Sequence, residues 1–338
     1  MNLSNAVYRA GAVGVHVAFS RLKNWPSTLQ KGAVNVGSAG RLIIEGFGAS
    51  QTGYSNCILM GLMIGYSGYA AASSDARPCA YPFDGEMNIF DDGVARVLYG
   101  DVGVGVGRAT GRLNVDGGSL SVNDHNQENA KWEYALRTFG IGLFGGVGVC
   151  TFDGGAEFSC GNDVFVGGAV VERYPYQGGA MERETGIAAD HSATGTLVVA
   201  DAAVSIEKDV VLGMDGFGTI RRLGSEGSFA AANLVCTNVA AERHTGSRID
   251  FVADAEGIGA LDFSGSAEIG ANAKLSVDLS AYSGGRRSFR LLGCSSRSGE
   301  FAEMKVIGLR EDLAPARFEW TSRGLYLKTR KDLTMFVR

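Results

Sequence analysis

Apolar and polar residues alternate along this chain in bursts of three to five residues, and glycine closes most of the bursts. The clearest copy is Gly111-Arg-Leu-Asn-Val-Asp-Gly-Gly-Ser-Leu-Ser-Val122. A second runs Gly148-Val-Cys-Thr-Phe-Asp-Gly-Gly-Ala-Glu-Phe-Ser-Cys160 and continues into Asp163-Val-Phe-Val-Gly167. A third runs Gly195-Thr-Leu-Val-Val-Ala-Asp-Ala-Ala-Val-Ser-Ile206 and continues into Asp209-Val-Val-Leu-Gly213. Weaker copies start at Gly32, Gly85, Gly218 and Gly259. Period-two alternation marks a strand with one buried face. Bursts this short do not make ordinary sandwich strands, and the corners lack the Asn-Gly or Asp-Gly pairs flanked by long strands that signal hairpins.

Three short strands per copy, each turning Val, Leu, Ile or Phe inward, describe one coil of an all-β fold: a right-handed, single-stranded parallel β-helix. One coil cannot bury its apolar face alone, and stacking at about 4.8 Å supplies the cover. Spacing between copies is irregular because corners accept insertions of very different length. The expected insertions are Tyr66–Asp84 and Ala169–Thr194 after a third strand, and Glu45–Asn56 and Asn123–Thr138 after a second. Insertions at equivalent corners emerge on one side of a solenoid, where binding loops are usually found. Residues 1–31 are expected to be an N-terminal cap or partial first coil, 32–285 the β-helix, and 286–338 a C-terminal β cap. In that last segment Phe289-Arg-Leu-Leu, Gly299-Glu-Phe and Gly324-Leu-Tyr-Leu read as longer strands joined by polar turns.

The copies at 111–122, 148–168 and 195–213, with that ending, resemble the glycine-rich β-helices of bacterial surface proteins: autotransporter passengers and autotransporter-associated β-strand repeats. The resemblance spans residues 32–330. It implies a protein secreted or held at the cell surface, an adhesin-like role, and the solenoid architecture shared with pectin-lyase-like enzymes. The chain departs from the family in showing no signal peptide, translocator barrel or sorting tail. Its apolar run Ala10–Phe19 is short, broken by glycine and followed by Arg21 and Lys23. An exported form is therefore expected to derive from a longer precursor.

Composition agrees with many tight corners: 50 glycines but only 5 prolines in 338 residues, 45% of them hydrophobic. The net charge of −5 divides unevenly, with +4 over residues 1–31, −15 over 32–285 and +6 over 286–338. An acidic body argues against nucleic acid as a partner, since phosphate binding needs a basic stripe. No apolar run is long enough for a transmembrane helix. None of the six cysteines lies in a CxxC motif or at metal spacing from a histidine. Cys150 and Cys160 occupy positions where other copies carry Leu or Val, which predicts buried free thiols; Cys57 and Cys79 are the one pairing worth testing.

Candidate chemistry is sparse. His16, His125, His191 and His244 have no HExxH partner, and Gly103-Val-Gly-Val-Gly107 lacks the lysine of a phosphate loop. No catalytic residue, metal ligand or cofactor is therefore assigned. Asp116 and Asp153 share one repeat position, just before Gly-Gly, as a paired acid and base would. Aspartate there is also an ordinary turn residue bonding local amides, which is the favoured reading. Tyr66, Tyr69, Tyr174 and Tyr176, in the third-strand insertions, supply the rigid amphipathic area that contacts sugars or proteins. The leading expectation is a noncatalytic solenoid whose loops bind a glycan or a host or cell-surface protein. The alternative is a polysaccharide lyase or glycoside hydrolase using Asp116 and Asp153.

Overall fold

A computed structural model describes residues 1–10, 14–20, 30–45, 61–67, 83–98, 100–107, 109–123, 139–143, 145–168, 193–214, 216–237, 246–285 and 287–329. Strands follow one another around three parallel sheets in strict rotation, so each strand pairs with the one three places on. The first sheet has ten strands, from Asn2–Ser4 to Glu303–Ile307, and the third has nine, from Gly14–Ser20 to Ser296–Gly299. The second begins at Val7–Ala10 and has eleven. This is the continuous winding of a parallel β-helix, with nine complete coils among the described residues.

Register explains the sequence pattern. Val36, Ile89, Val115, Phe152 and Val199 fall on one another in successive coils, all 0–1% exposed, and form one column of the core. Cys150 lies between Leu113 and Leu197, and Cys160 between Val122 and Ile206, so both are buried free thiols in the place of aliphatic side chains. Phe152 stacks on Phe158, which also meets Phe139 edge-on, where large inward residues of neighbouring coils converge.

Glycine sets the third corner, where a third strand passes into the next coil. Gly65, Gly105, Gly142, Gly167 and Gly213 all have φ between +65° and +78°. A Cβ on Gly142 would lie 2.1 Å from the carbonyl oxygen of Thr194, and one on Gly148 would lie 2.4 Å from the amide nitrogen of Gly142. Two columns of glycine thus let backbone touch backbone, which is why a repeat opens and closes on that residue. Ala18, at φ +55°, takes the same place beside Gly32 in the first coil.

The copy starting at Gly259 is out of phase with the expectation: Leu261–Phe263 is a second strand, and the first strand of that coil is Gly246–Val252. Ser247 stands in register with Gly218, where the clear copies carry their opening glycine, so the burst reads weakly as sequence. Parallel winding continues through Ser288–Gly293, Ser296–Gly299 and Glu303–Ile307. Direction reverses only at Arg317–Thr321 and Gly324–Lys328, an antiparallel hairpin that closes the second sheet against Ser288–Gly293. That strand-rich hairpin covers an edge that would otherwise offer unpaired amides.

Candidate functional site

Two sets of corners differ sharply. The first corner, between first and second strands, is closed by turns such as 117–118, 154–155 and 200–201, and reaches 224–227 by the seventh coil. The second and third corners take the long insertions. Residues 45–60 and 123–138 join a second strand to a third, and 68–82 and 167–192 join a third strand to the next first. The insertions therefore occupy the two corners that border the third sheet. Bounds differ from those the sequence suggested: Tyr66, Phe83, Asp84, Ala193 and Thr194 belong to strands, whereas the segment expected at Glu45–Asn56 runs on to residue 60. Phe83 opens a first strand and is buried in a small cluster with Ala109, not displayed in a loop.

From Gly61–Ser67 to Val210–Leu212 the strands of the third sheet are buried on both faces. Leu62 and Ile64 point into the core, yet Met63 between them is 0% exposed; Phe165 and Val211, also outward, are 5% and 6% exposed. Its strands accordingly read as unbroken apolar runs such as Val164–Val166 and Val210–Leu212. Tyr66 sits half-buried at the end of such a strand, in register with Phe19 and Val106. Tyr69, Tyr174 and Tyr176 lie outside the described residues, as do Cys57 and Cys79.

Asp116 and Asp153 are brought together: they end the first strands of adjoining coils and face each other in register. What surrounds them is turn geometry. Oδ1 of Asp153 accepts from the amides of Gly154 at 2.8 Å and Asp201 at 3.3 Å. The amide of Gly117 donates to the carbonyl of Asp153 at 3.1 Å, and that of Asp91 to the carbonyl of Asp116 at 3.1 Å. Gly117, Gly154 and Gly155 all have positive φ. Among the described residues no ion pair reaches either aspartate, and no group of three or more His, Cys, Asp or Glu is placed to hold a metal ion. Tyr66 is at a different corner and does not form one site with the two aspartates.

Sequence reasoning missed the widening of the first corner. Residues 253–260 and 279–287 are long turns there, stacked so that Ser283 donates to the carbonyl of Ala255. Asp254 organises this end, accepting from the amides of Ser225, Glu256 and Gly257 at 2.7–2.8 Å and from Ser225 Oγ at 2.9 Å. Burial opposes ionisation of Asp254, but these donors together outweigh it and hold the carboxyl below its ordinary range. Asp278 is lowered likewise, chiefly by the hydroxyl and amide of Ser280. The basic residues of the C-terminal segment are largely paired: Arg290 with Asp262, Arg310 with Asp312, Arg317 and Lys328 with Glu319. Arg297 lies over the ring of Trp320.

Fold and corners together define the class: a parallel β-solenoid with insertions gathered at two of its three corners. The chain matches no family model, no curated protein and no solved structure. No helix among the described residues is long and apolar enough to cross a membrane.

Proposed function

We propose that the protein is a noncatalytic, exported β-solenoid that presents its corner insertions to a glycan or a cell-surface protein. The observation that carries this reading is the segregation of insertions. Seven coils keep the first corner to turns of a few residues, whereas segments of up to 26 residues (167–192) border the third sheet. Stacked coils hold such loop bases at a fixed spacing, which lowers the ordering entropy a partner must supply. Tyr66, Tyr69, Tyr174 and Tyr176 are the proposed contacts. The glycine-punctuated repeat supports a place among autotransporter-like surface proteins, with display outside the cell.

A glycan array and a cell-adhesion assay test this, comparing the intact chain with Tyr174→Ala/Tyr176→Ala and with residues 169–192 replaced by a short Gly-Ser linker. Circular dichroism is expected to be unchanged, and binding to fall at least tenfold in both variants. Binding equal to that of the parent would remove the third-corner insertion and its tyrosines from the account. The in-register pair Asp116 and Asp153 favours a second reading, polysaccharide cleavage. Release of reducing ends from a polysaccharide panel, abolished by Asp116→Asn, would put that reading first.

A further inference from the structure

Position 222 breaks the rule of the core. Along the column Val115, Phe152, Val199, the next inward residue is Arg222, followed by Phe251 and Val277. Arg222 is 0% exposed, the one fully buried basic side chain among the described residues. Its guanidinium hydrogen-bonds to carbonyl oxygens, and the charges of Asp201 and Asp254 act on it as well. Nη1 donates to Ala200, and to Val199 and Leu223 at 3.3 Å each; Nη2 donates to Glu226, and to Gly227 at 3.2 Å. Nε is buried with no partner. From the other side the next coil closes on it: a Cβ on Gly259 would lie 2.2 Å from Nη2 and 2.6 Å from Cζ. One planar cation therefore touches three successive coils.

An internal charge of this kind is a poor source of stability, because desolvation cancels most of what its bonds return. It is a good source of specificity, since its two Nη groups meet these carbonyls in one arrangement only. Degenerate coils need that, because any coil offers its neighbour much the same aliphatic column. Slipping the pairing by a whole coil would carry the guanidinium away from the Val199 and Ala200 carbonyls of the preceding coil, and away from Gly259 of the following one. We propose that Arg222 and Gly259 form a register lock, fixing which coils pair at the junction between the regular solenoid and the wide-cornered C-terminal coils.

A double-mutant cycle on the full chain tests the lock, read as urea midpoints with limited proteolysis as a second readout. Gly259→Ala is expected to lower the midpoint clearly with Arg222 present, and to lose at least roughly half of that effect with Arg222→Met. Arg222→Met alone is expected to keep a midpoint near the parent's, but to unfold over a broader transition and to give extra proteolytic fragments from residues 216–260. If Arg222→Met does not fold, Arg222→Lys, which keeps the charge without the planar fork, carries the comparison, and equal effects of Gly259→Ala beside Arg222 and beside the lysine overturn the lock. If Arg222→Met unfolds as sharply as the parent with the same fragments, or if Gly259→Ala has equal effects in both backgrounds, the lock is overturned.

Discussion

A missing Cβ is the smallest structural unit of this protein. Gly142 combines φ +66° with a neighbouring carbonyl 2.1 Å from where its Cβ would sit, whereas Gly155 has φ +80° and nothing within 4 Å. Alanine at 155 therefore pays conformational strain alone, about 1 kcal/mol, while alanine at 142 must also push two coils apart, for a loss on the order of 3 kcal/mol. Urea denaturation of the two variants checks this; equal losses would mean that the glycine columns do not hold coils in contact. Asp153 gives a second residue-scale expectation. Its carboxylate caps two amides, so Asp153→Ala should cost about 1 kcal/mol, and Asp153→Asn, which keeps an acceptor oxygen, less than half of that. The same denaturation series decides, with similar losses for Ala and Asn counting against the turn role.

Among elements, the wide turns at the first corner depend on the carboxylates of Asp254 and Asp278. Asp254 and Asp278 have folded pKa values below their unfolded ones. The stability they add is therefore present above the unfolded value, about 3.9, and is lost as pH falls through the lower folded values. Hydrogen exchange corrected for intrinsic rates should show amides of 254–257 and 278–280 losing protection between pH 5 and pH 2, before those of Val147–Asp153. Uniform loss would show that these carboxylates do not govern the turns. The sequence made the coil legible wherever alternation was clean, as in Thr110–Asp116 and Ala156–Cys160. It blurred the middle of the third sheet, where strands such as Phe139–Leu143 and Val164–Val166 are buried on both faces. It misplaced the Gly259 copy because a second strand bearing Leu261 and Phe263 imitates a first one. The stacking of Asp116 on Asp153 was readable from repeat position and the bond from Gly154 to Asp153 from turn chemistry, but the bond from Asp201 was not, since it joins different coils. Arg222 had a signal: it shares parity with Ile220 in Gly218-Thr-Ile-Arg-Arg-Leu223, an inward place for a charge.

For the molecule as a whole, display of the insertions depends on continuous parallel winding with coils in register. Ser121, Ser159 and Ser205 face outward on consecutive coils of the second sheet, Ser121 paired with Ser159 and Ser159 with Ser205. Their spacing is about 4.8 Å between neighbours and about 9.6 Å across two coils. Nitroxide labels on cysteines at these positions, taken in pairs with Cys57, Cys79 and Cys294 replaced by serine, report that spacing as dipolar broadening of the electron paramagnetic resonance spectrum. Strong broadening for 121 with 159 and for 159 with 205, and weaker broadening for 121 with 205, is the predicted result. Spectra of either neighbouring pair that equal the sum of the singly labelled chains would contradict the winding.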